Sequence, residues 1–565
     1  MLPRSVGRDE GSPWSAHLPR WLAALGGLGW FLWLGGGTVL PPTRIDWMTQ
    51  GDWAMNLFGW LFLRHAPWGL PLGDVPNLFH PHGTRVSLTD SIPWVAVGLK
   101  PFSGWLPRDF QYTGAWWALC FGMMGYFRSR LVEVASPRAV PRVLGGVLLA
   151  LAPVLAARLG HPALCAHWLL LALLWLNLRN LPDERTARRG LALAAFFNAI
   201  AAGVHPYWVA MLLPLTAALA VRSVRGGWLG WRRALAAVGG IALLVGLLFL
   251  LFGYLGGPGL GAEGFGDFSS DLVTLVNPMG WSRLMPDLPA RPRQGEGFGY
   301  LGPGALLLGG LALVSVGARW RVARTLSWRR GLPALAVVLL MAVYALSWRV
   351  TWQGRQVMDL GALYAPFASQ TAAFRASGRF IWPLHHLLVA SAVLLVVRLW
   401  REWPWVSGLG LGLALAVQAH DWRADRSHLR RPVAFHRLQA PEWGALKGHY
   451  RHLALFPPQI QWACRYDEPL VMKLSYLAYR EGLTFNSGNA ARVPPQAVEE
   501  CRASFPLGGV DADTVYVVLP EHLLAFLQGG ARCGVLEGLP VCIRDSRQDG
   551  FANALERQPL RLRQP

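Results

Sequence analysis

Along the first 420 positions the apolar residues come in long blocks, not in the alternating rhythm of a half-buried strand or the one-face rhythm of a soluble helix. WLAALGGLGWFLWLGGGTVL (21–40) and ALAAVGGIALLVGLLFLLFGYLGG (234–257) each reach the roughly 20 residues that span about 30 Å of hydrocarbon as a helix. The pattern predicts eleven such spans, near 21–40, 108–127, 140–157, 163–180, 189–205, 206–222, 233–256, 299–318, 331–348, 381–399 and 402–420. SIPWVAVGLKPFSGWL (91–106) is apolar too, but Lys100 and Pro101 interrupt it, so it reads as a half-buried or interfacial segment. NLFGWLFL (56–63) also reads as interfacial. Beyond 420 the pattern changes: HLALFPP (452–458) and TVYVVLPEHLLAFL (514–527) are short apolar stretches in polar surroundings, the signature of strands and helices of a small α/β domain.

The expected fold class is therefore an α-helical polytopic membrane protein with a small C-terminal α/β extracytoplasmic domain. A tail (1–20) precedes the membrane domain (21–420), whose large loops are 41–107, 257–298 and 349–380, and residues 421–565 form the last domain. Composition supports a bilayer over a soluble core: 53% of the residues are hydrophobic and only 15% charged, against about a quarter charged in soluble chains. A net charge of +21 would suit nucleic acid. Its basic residues, however, crowd into short connectors (128–142, 179–189, 222–233, 319–330 and 398–401) between apolar blocks. That distribution is the positive-inside bias. It places the N-terminus in the cytoplasm of a bacterial inner membrane, the C-terminal domain in the periplasm, and excludes nucleic acid as a partner. Pro41-Pro42-Thr43-Arg44 follows the first block where a cleavable signal would carry small residues.

Cys120 and Cys165 fall inside apolar blocks, whereas Cys464, Cys501, Cys533 and Cys542 all fall in the last domain. In an oxidising compartment those four allow three pairings. Cys533 with Cys542 and Cys464 with Cys501 is the preferred one; four free buried thiols are the alternative.

No phosphate-binding loop, nucleophile elbow, zinc-helix motif or dinucleotide fingerprint is present. The chemistry-bearing residues collect instead at the predicted outer ends of the spans. In the first loop Asp46 and Asp52 stand among Trp47, Trp53 and Trp60, followed by Arg64, His65, Asp74, His80, His82, Arg85 and Asp90. A carboxylate in aromatic, low-dielectric surroundings suits a general base, and Arg and His suit a phosphate. The plain alternative is a surface loop in which Thr49, Asp52, Thr89 and Asp90 cap helices. His80-Pro81-His82 is spaced almost as a metal-ligand pair but has no clustered third ligand. His161 and His205 sit at outer span ends, where each could cap a helix or join a common cavity. The loop at 257–298 adds Glu263, Asp267, Asp271, Arg283, Asp287 and Glu296. The loop at 349–380 adds Arg355, Asp359, Arg375 and Arg379, the last two placed to clamp a lipid-linked phosphate or to snorkel to headgroups.

GDWAMNLFGWLF (51–62), PWGLPLG (67–73), TDSIPWVAVGLKP (89–101), FQYTGAWWALC (110–120), NPMGWSRLMPDLP (277–289), EGFGYLG (296–302) and FRASGRFIWP (374–383) resemble a bacterial membrane family of unknown function. The layout resembles the GT-C superfamily of membrane glycosyltransferases, with which that family is grouped. The resemblance implies sugar transfer from a polyprenyl-phosphate donor to an envelope glycan or protein acceptor. It puts Asp52 where the superfamily's acidic residue is expected, with Asp46 and Asp90 as competitors, and assigns Glu296, Tyr300, Arg375 and Arg379 to the donor cavity. Arg64, His80, His82, Arg85, His161 and His205 are the other candidate substrate contacts. Many superfamily members carry paired acids in the first loop where this chain has single ones, which leaves a divalent metal open; no other cofactor is implied. A transporter or flippase of lipid-linked glycans predicts charged residues deep in the spans, where only His167, Asn177, Asn198 and His385-His386 stand out. A non-enzymatic envelope assembly protein predicts dispensable first-loop acids.

Overall fold

The computed structural model describes residues 13–256, 260–261, 264–324, 328–423, 427–430 and 434–560. Most of the tail expected before the first block, and Glu263, lie outside the described residues.

Each predicted block contains a helix. In chain order they are α1 (Pro13–Trp33), α2 (Gly51–His65), α3 (Thr113–Glu133), α4 (Ala139–Ala150), α5 (His167–Leu178), α6 (Glu184–Ala202), α7 (Pro206–Arg225), α8 (Trp231–Leu251), α9 (Pro303–Ala318), α10 (Leu332–Ala345), α11 (Trp382–Leu399) and α12 (Pro404–Asp421). Here α2 is an addition: it comes from the first loop. Proline opens several of them, as at Pro206, Pro303 and Pro404, where its missing N–H costs no helical hydrogen bond.

Among the described residues three helices are long and apolar enough to cross a bilayer: Pro206–Arg225, Trp231–Leu251 and the run Ser377–Leu399. That is fewer than the eleven expected. The apolar blocks of the sequence include turns as well as helix. The 140–157 block breaks after Ala150 and restarts at Pro153, and the 163–180 block opens with a 3-10 turn at Pro162–Cys165. Along α8 only 17% of the apolar window is buried, so Leu235, Leu243, Leu247 and Leu250 face outward. Close packing inside the bundle uses small residues. A Cβ at Gly27 of α1 would lie 2.2 Å from the Phe121 carbonyl of α3, and one at Gly125 would lie 2.0 Å from the Ala23 carbonyl.

One expectation is overturned. Residues 56–63 do not lie at an interface: they belong to α2, in which every residue from Trp53 to Arg64 is buried. The segment is apolar on all sides because protein surrounds it. Its far end is fastened by Arg64, whose guanidinium donates to the carbonyls of Ser103, Leu106, Pro107 and Arg108 and to the Tyr479 hydroxyl. The 91–106 segment forms a short helix at Pro93–Leu99 and a 3-10 turn, with Trp94, Phe102 and Trp105 exposed.

The C-terminal domain is a five-stranded sheet. Its strands are β1 (His452–Phe456), β2 (Thr484–Phe485), β3 (Thr514–Val518), β4 (Ala531–Leu536) and β5 (Leu539–Arg544), in the order β4-β5-β3-β1-β2. β1 runs parallel to both neighbours, and β4 and β5 form an antiparallel hairpin. The crossover from β1 to β2 is α13 (Glu468–Glu481), N-capped by Asp467 and ended by Gly482 at φ +76°. The edge strand β2 is not left open. The first loop lays Asn77–His80 along it, with the His80 amide donating to the Phe485 carbonyl and the Phe485 amide to the Asn77 carbonyl. Asn77 also donates to the Phe62 carbonyl, so this edge pairing ties the domain to the end of α2.

Cys464 is bonded to Cys501 and Cys533 to Cys542. The first bridge closes a loop of 37 positions, so by loop-closure entropy its removal costs up to about 4 kcal/mol. A Cys464→Ser, Cys501→Ser variant is expected to unfold its C-terminal domain several degrees earlier, read by limited proteolysis during a thermal ramp.

Candidate functional site

Four segments far apart in sequence meet at one end of the bundle. Asp52 lies in the first turn of α2, which begins at Gly51 with φ +54°. Arg158 and His161 come from the turn that precedes Pro162. Glu296 sits on the 3-10 turn Gln294–Gly297, and Arg379 on the turn Ser377–Ile381 that leads into α11.

The side chains form a chain of alternating charge. His161 stands between two carboxylates, Nδ1 3.3 Å from Asp52 Oδ2 and Nε2 3.4 Å from Glu296 Oε1. The other Glu296 oxygen meets Arg379 Nε at 2.8 Å and Arg158 Nη1 at 3.0 Å. Arg158 also donates to the Gly295 carbonyl at 2.7 Å. Burial would push the Glu296 carboxyl up, but Arg379, then Arg158 and His161, outweigh it and hold it well below the usual carboxylate range. Burial would likewise lower His161, yet Asp52 and Glu296 raise it above an ordinary imidazole.

Asp90 stands beside this chain and differs from it. Its backbone is left-handed, with φ +55°, and Ile92 follows at φ +49°; such conformations are costly for side-chain-bearing residues and collect at functional sites. They are held by neighbours: Asn56 Nδ2 donates to the Asp90 carbonyl at 2.6 Å, Thr113 donates to Asn56, and Tyr112 donates to the Ser91 carbonyl. Both carboxylate oxygens of Asp90 are shielded from solvent. The Ala163 amide faces the carboxylate without closing a hydrogen bond of good geometry. Burial, with Asp52 adding to it against His161 and Arg379, pushes its pKa up to about 7.

The C-terminal domain reaches the same spot. Asn489 Nδ2 lies 3.4 Å from Asp52 Oδ1, and Glu468 accepts from the Gly51 amide at 2.6 Å. On the opposite side Arg379 stacks over Tyr207, 4.6 Å from the ring centre, and the Tyr207 hydroxyl accepts from the Ala376 amide. Tyr207 packs against Phe374 and Phe380. Those two phenylalanines also line an apolar cavity of about 510 Å³, shared with Ala210, Leu340, Met341 and Tyr344. An apolar cavity and a charged cluster thus adjoin across one aromatic wall.

Of the residues singled out in the sequence, Asp52, Asp90, His161, Glu296 and Arg379 come together. Arg375 and His205 flank them: Arg375 lies over Phe268, and His205 caps α7 by accepting from the Tyr207 amide at 3.2 Å. The others are drawn elsewhere by their own partners. Asp46 pairs with Arg437 at 3.4 Å, and Arg64 ties down the end of α2. His80 stacks on His452 with ring centres 4.1 Å apart, its pKa lowered to about 4 by burial and by His452 and His82. His82 pairs with Glu500 at 2.9 Å, Arg85 donates to the carbonyls of Gly253 and Leu255, and the Tyr300 hydroxyl is 3.5 Å from Asp421. The capping alternative for the first-loop acids also fails, since Gln50 and Ile92 occupy the N-cap positions of α2 and Pro93–Leu99. Sequence reasoning missed Arg158, Tyr207 and Asn489. Arg158 carried a signal: it is a basic residue beside His161 on the side where the charge bias puts few. Among the described residues no group of three or more His, Cys, Asp or Glu is arranged to hold a metal ion.

A family profile described as a domain of unknown function, DUF6311, matches residues 24–423. The chain belongs to the DUF6311 family. The profile of the DUF6311 C-terminal domain matches residues 442–544, which hold β1 to β5. The two DUF6311 matches thus cover the helical body and the sheet domain, and the charged cluster lies where they meet. Curated proteins give no match to the chain.

Proposed function

We propose that the chain is a membrane glycosyltransferase of the GT-C type that takes a sugar from a polyprenyl-phosphate donor. The observation that carries this reading is the adjacency of the 510 Å³ apolar cavity to the Arg379–Glu296–His161–Asp52 cluster. A donor with a long apolar tail and a charged head needs both surfaces, side by side. The outward-facing leucines of α8 fit a bilayer environment, and the proposed topology is the eleven-span one, with the cluster on the periplasmic face of the inner membrane.

In this reading the tail occupies the apolar cavity, and Arg375 and Arg379 meet the phosphate. Asp52, held by His161 and Asn489, accepts the proton of the acceptor hydroxyl. The hydroxyl oxygen forms a bond to the anomeric carbon as the bond from that carbon to the phosphate oxygen breaks. Polyprenyl phosphate leaves, and the sugar is inverted. Asp90, buried beside Asp52, His161 and Arg379, orients the acceptor through them. Arg379 and Arg158 keep Glu296 ionised, and Asp52 and Glu296 raise the proton affinity of His161. Asp46 has no part in this scheme.

Mass spectrometry of polyprenyl-phosphate sugars and surface glycans tests the reading. A deletion strain and an Asp52→Asn strain with normal protein levels are both expected to lack one sugar on the envelope and to accumulate its lipid-linked donor. Full rescue of the deletion by Asp52→Asn would overturn the role of Asp52, and unchanged glycans and lipid-linked sugars in the deletion strain would overturn the activity.

A further inference from the structure

A second polar group lies inside the helical bundle, and the proposed transfer reaction does not use it. Arg128 of α3 is fully buried, at 0% exposure. Its Nη2 lies 3.3 Å from Nδ1 of His386 in α11, while Nε and Nη1 have no hydrogen-bond partner. His386 Nε2 lies 3.0 Å from Nδ1 of His167 in α5. The neighbouring His385 has Nδ1 2.8 Å from the Gly299 carbonyl. Trp208 and Trp382 pack on His167 with ring centres 5.1 and 4.6 Å away.

The direction of donation along this chain follows from chemistry. A guanidinium can only donate, so His386 accepts at Nδ1 and carries its proton on Nε2. That proton is donated to His167 Nδ1, which leaves the proton of His167 on Nε2, a buried atom without a partner. A carbonyl can only accept, so His385 is protonated at Nδ1. His386 and His167 are therefore held neutral by the chain itself, and the positive charge of the group rests on Arg128.

Among the described residues Arg128 forms no ion pair, and its one hydrogen-bond partner is the lone pair of His386. A full charge in a low-dielectric interior requires a counter-charge, and the N–H groups on Nε and Nη1 require an acceptor. A carboxylate would meet both needs, and the described residues supply none here. We propose that Arg128, oriented by His386, forms a buried binding site for a monovalent inorganic anion of halide size between α3, α5 and α11. One guanidinium balances one negative charge, and the complete burial of Arg128, His167 and His386 favours a small spherical ion over a bulky oxyanion.

The site is tested on the full chain purified in detergent with gluconate as the only small anion. Unfolding is followed by tryptophan fluorescence while bromide or chloride replaces gluconate at constant ionic strength. Wild type is expected to gain several degrees of Tm in a saturable way, because an ion that binds only the folded state stabilises it by mass action. Arg128→Met should fold and lose that response, since an apolar chain of similar size removes the uncompensated charge, and Arg128→Lys should keep part of it. A wild-type Tm indifferent to halide would overturn the proposal, as would an Arg128→Met response equal to wild type. If Arg128→Met does not fold, crystals of wild type grown in bromide decide: an anomalous peak at the guanidinium supports the site, and none overturns it.

Discussion

Glu296→Gln is expected to destabilise the protein by about 3–5 kcal/mol, the usual cost of removing one partner from a buried charge network. Among the described residues Glu296 is the one anion that forms an ion pair with both Arg158 and Arg379, and both guanidiniums are at most 12% exposed at the side chain. The amide keeps the shape and loses the charge, leaving two cations facing a neutral group. The loss is also pH-dependent. Because the Glu296 carboxyl is held well below its ordinary value, its contribution is present above about pH 4.5 and disappears as pH falls through the depressed value. Thermal unfolding of wild type and Glu296→Gln should therefore differ most near neutral pH and converge in acid. Equal stabilities at pH 7 would show that the network does not hold the turns together. His161 loses one of its two carboxylates in the variant, so its raised proton affinity should fall, an outcome that NMR titration of the imidazole reads directly.

Asp90→Asn is expected to act in the opposite direction. Between the ordinary carboxyl range and about pH 7 the folded chain keeps a proton on Asp90 that the unfolded chain has released. Stability therefore declines as pH rises through that interval and is flat above it. Asparagine removes the titration, so the variant should be more stable than wild type at pH 8, by at most about 4 kcal/mol, with no difference near pH 4. In the proposed reaction the same variant should lose transfer, because the buried carboxyl group beside Asp52 and His161 is gone. A variant more stable and less active than its parent is the mark of a strained functional group. If Asp90→Asn is neutral or destabilising at pH 8, the carboxylate is not held in the unfavourable site described here.

Much of the site was visible in the sequence as separate names. Asp52, His161, Glu296 and Arg379 each stood out as a charged or ionisable residue at the end of an apolar block. Nothing local distinguished them from Asp46, Arg64, His82 or Tyr300, which have the same chemistry in similar surroundings. The difference lies in contacts that span the chain: Arg158 and Glu296 are 138 positions apart, and Asp52 and Asn489 are 437. Asp90 is the clearest case. Its residue type and its position in TDSIP suggested a helix cap, whereas its left-handed backbone and shielded carboxylate come from Asn56, Tyr112 and Thr113, two of them on or beside a helix that starts some twenty residues later.

The sequence by itself determined a helix in each of the eleven apolar blocks, their order and the change to a sheet domain beyond 420, but neither α2 nor the turns that shorten several blocks. Unbroken apolar blocks with short basic connectors leave few other structures in which every backbone group is satisfied. It also marked four cysteines as belonging to one domain. Only the tertiary structure decided that residues 56–63 are interior and not interfacial, because burial on all sides and burial on one side look alike in so short a run of mostly apolar residues. Only the tertiary structure, too, brought Arg158 to Glu296, laid Asn77–His80 along the edge of β2, and carried Asn489 to Asp52. Those contacts depend on how rigid helices and a sheet pack against one another, a property of shape that no local window of residues contains.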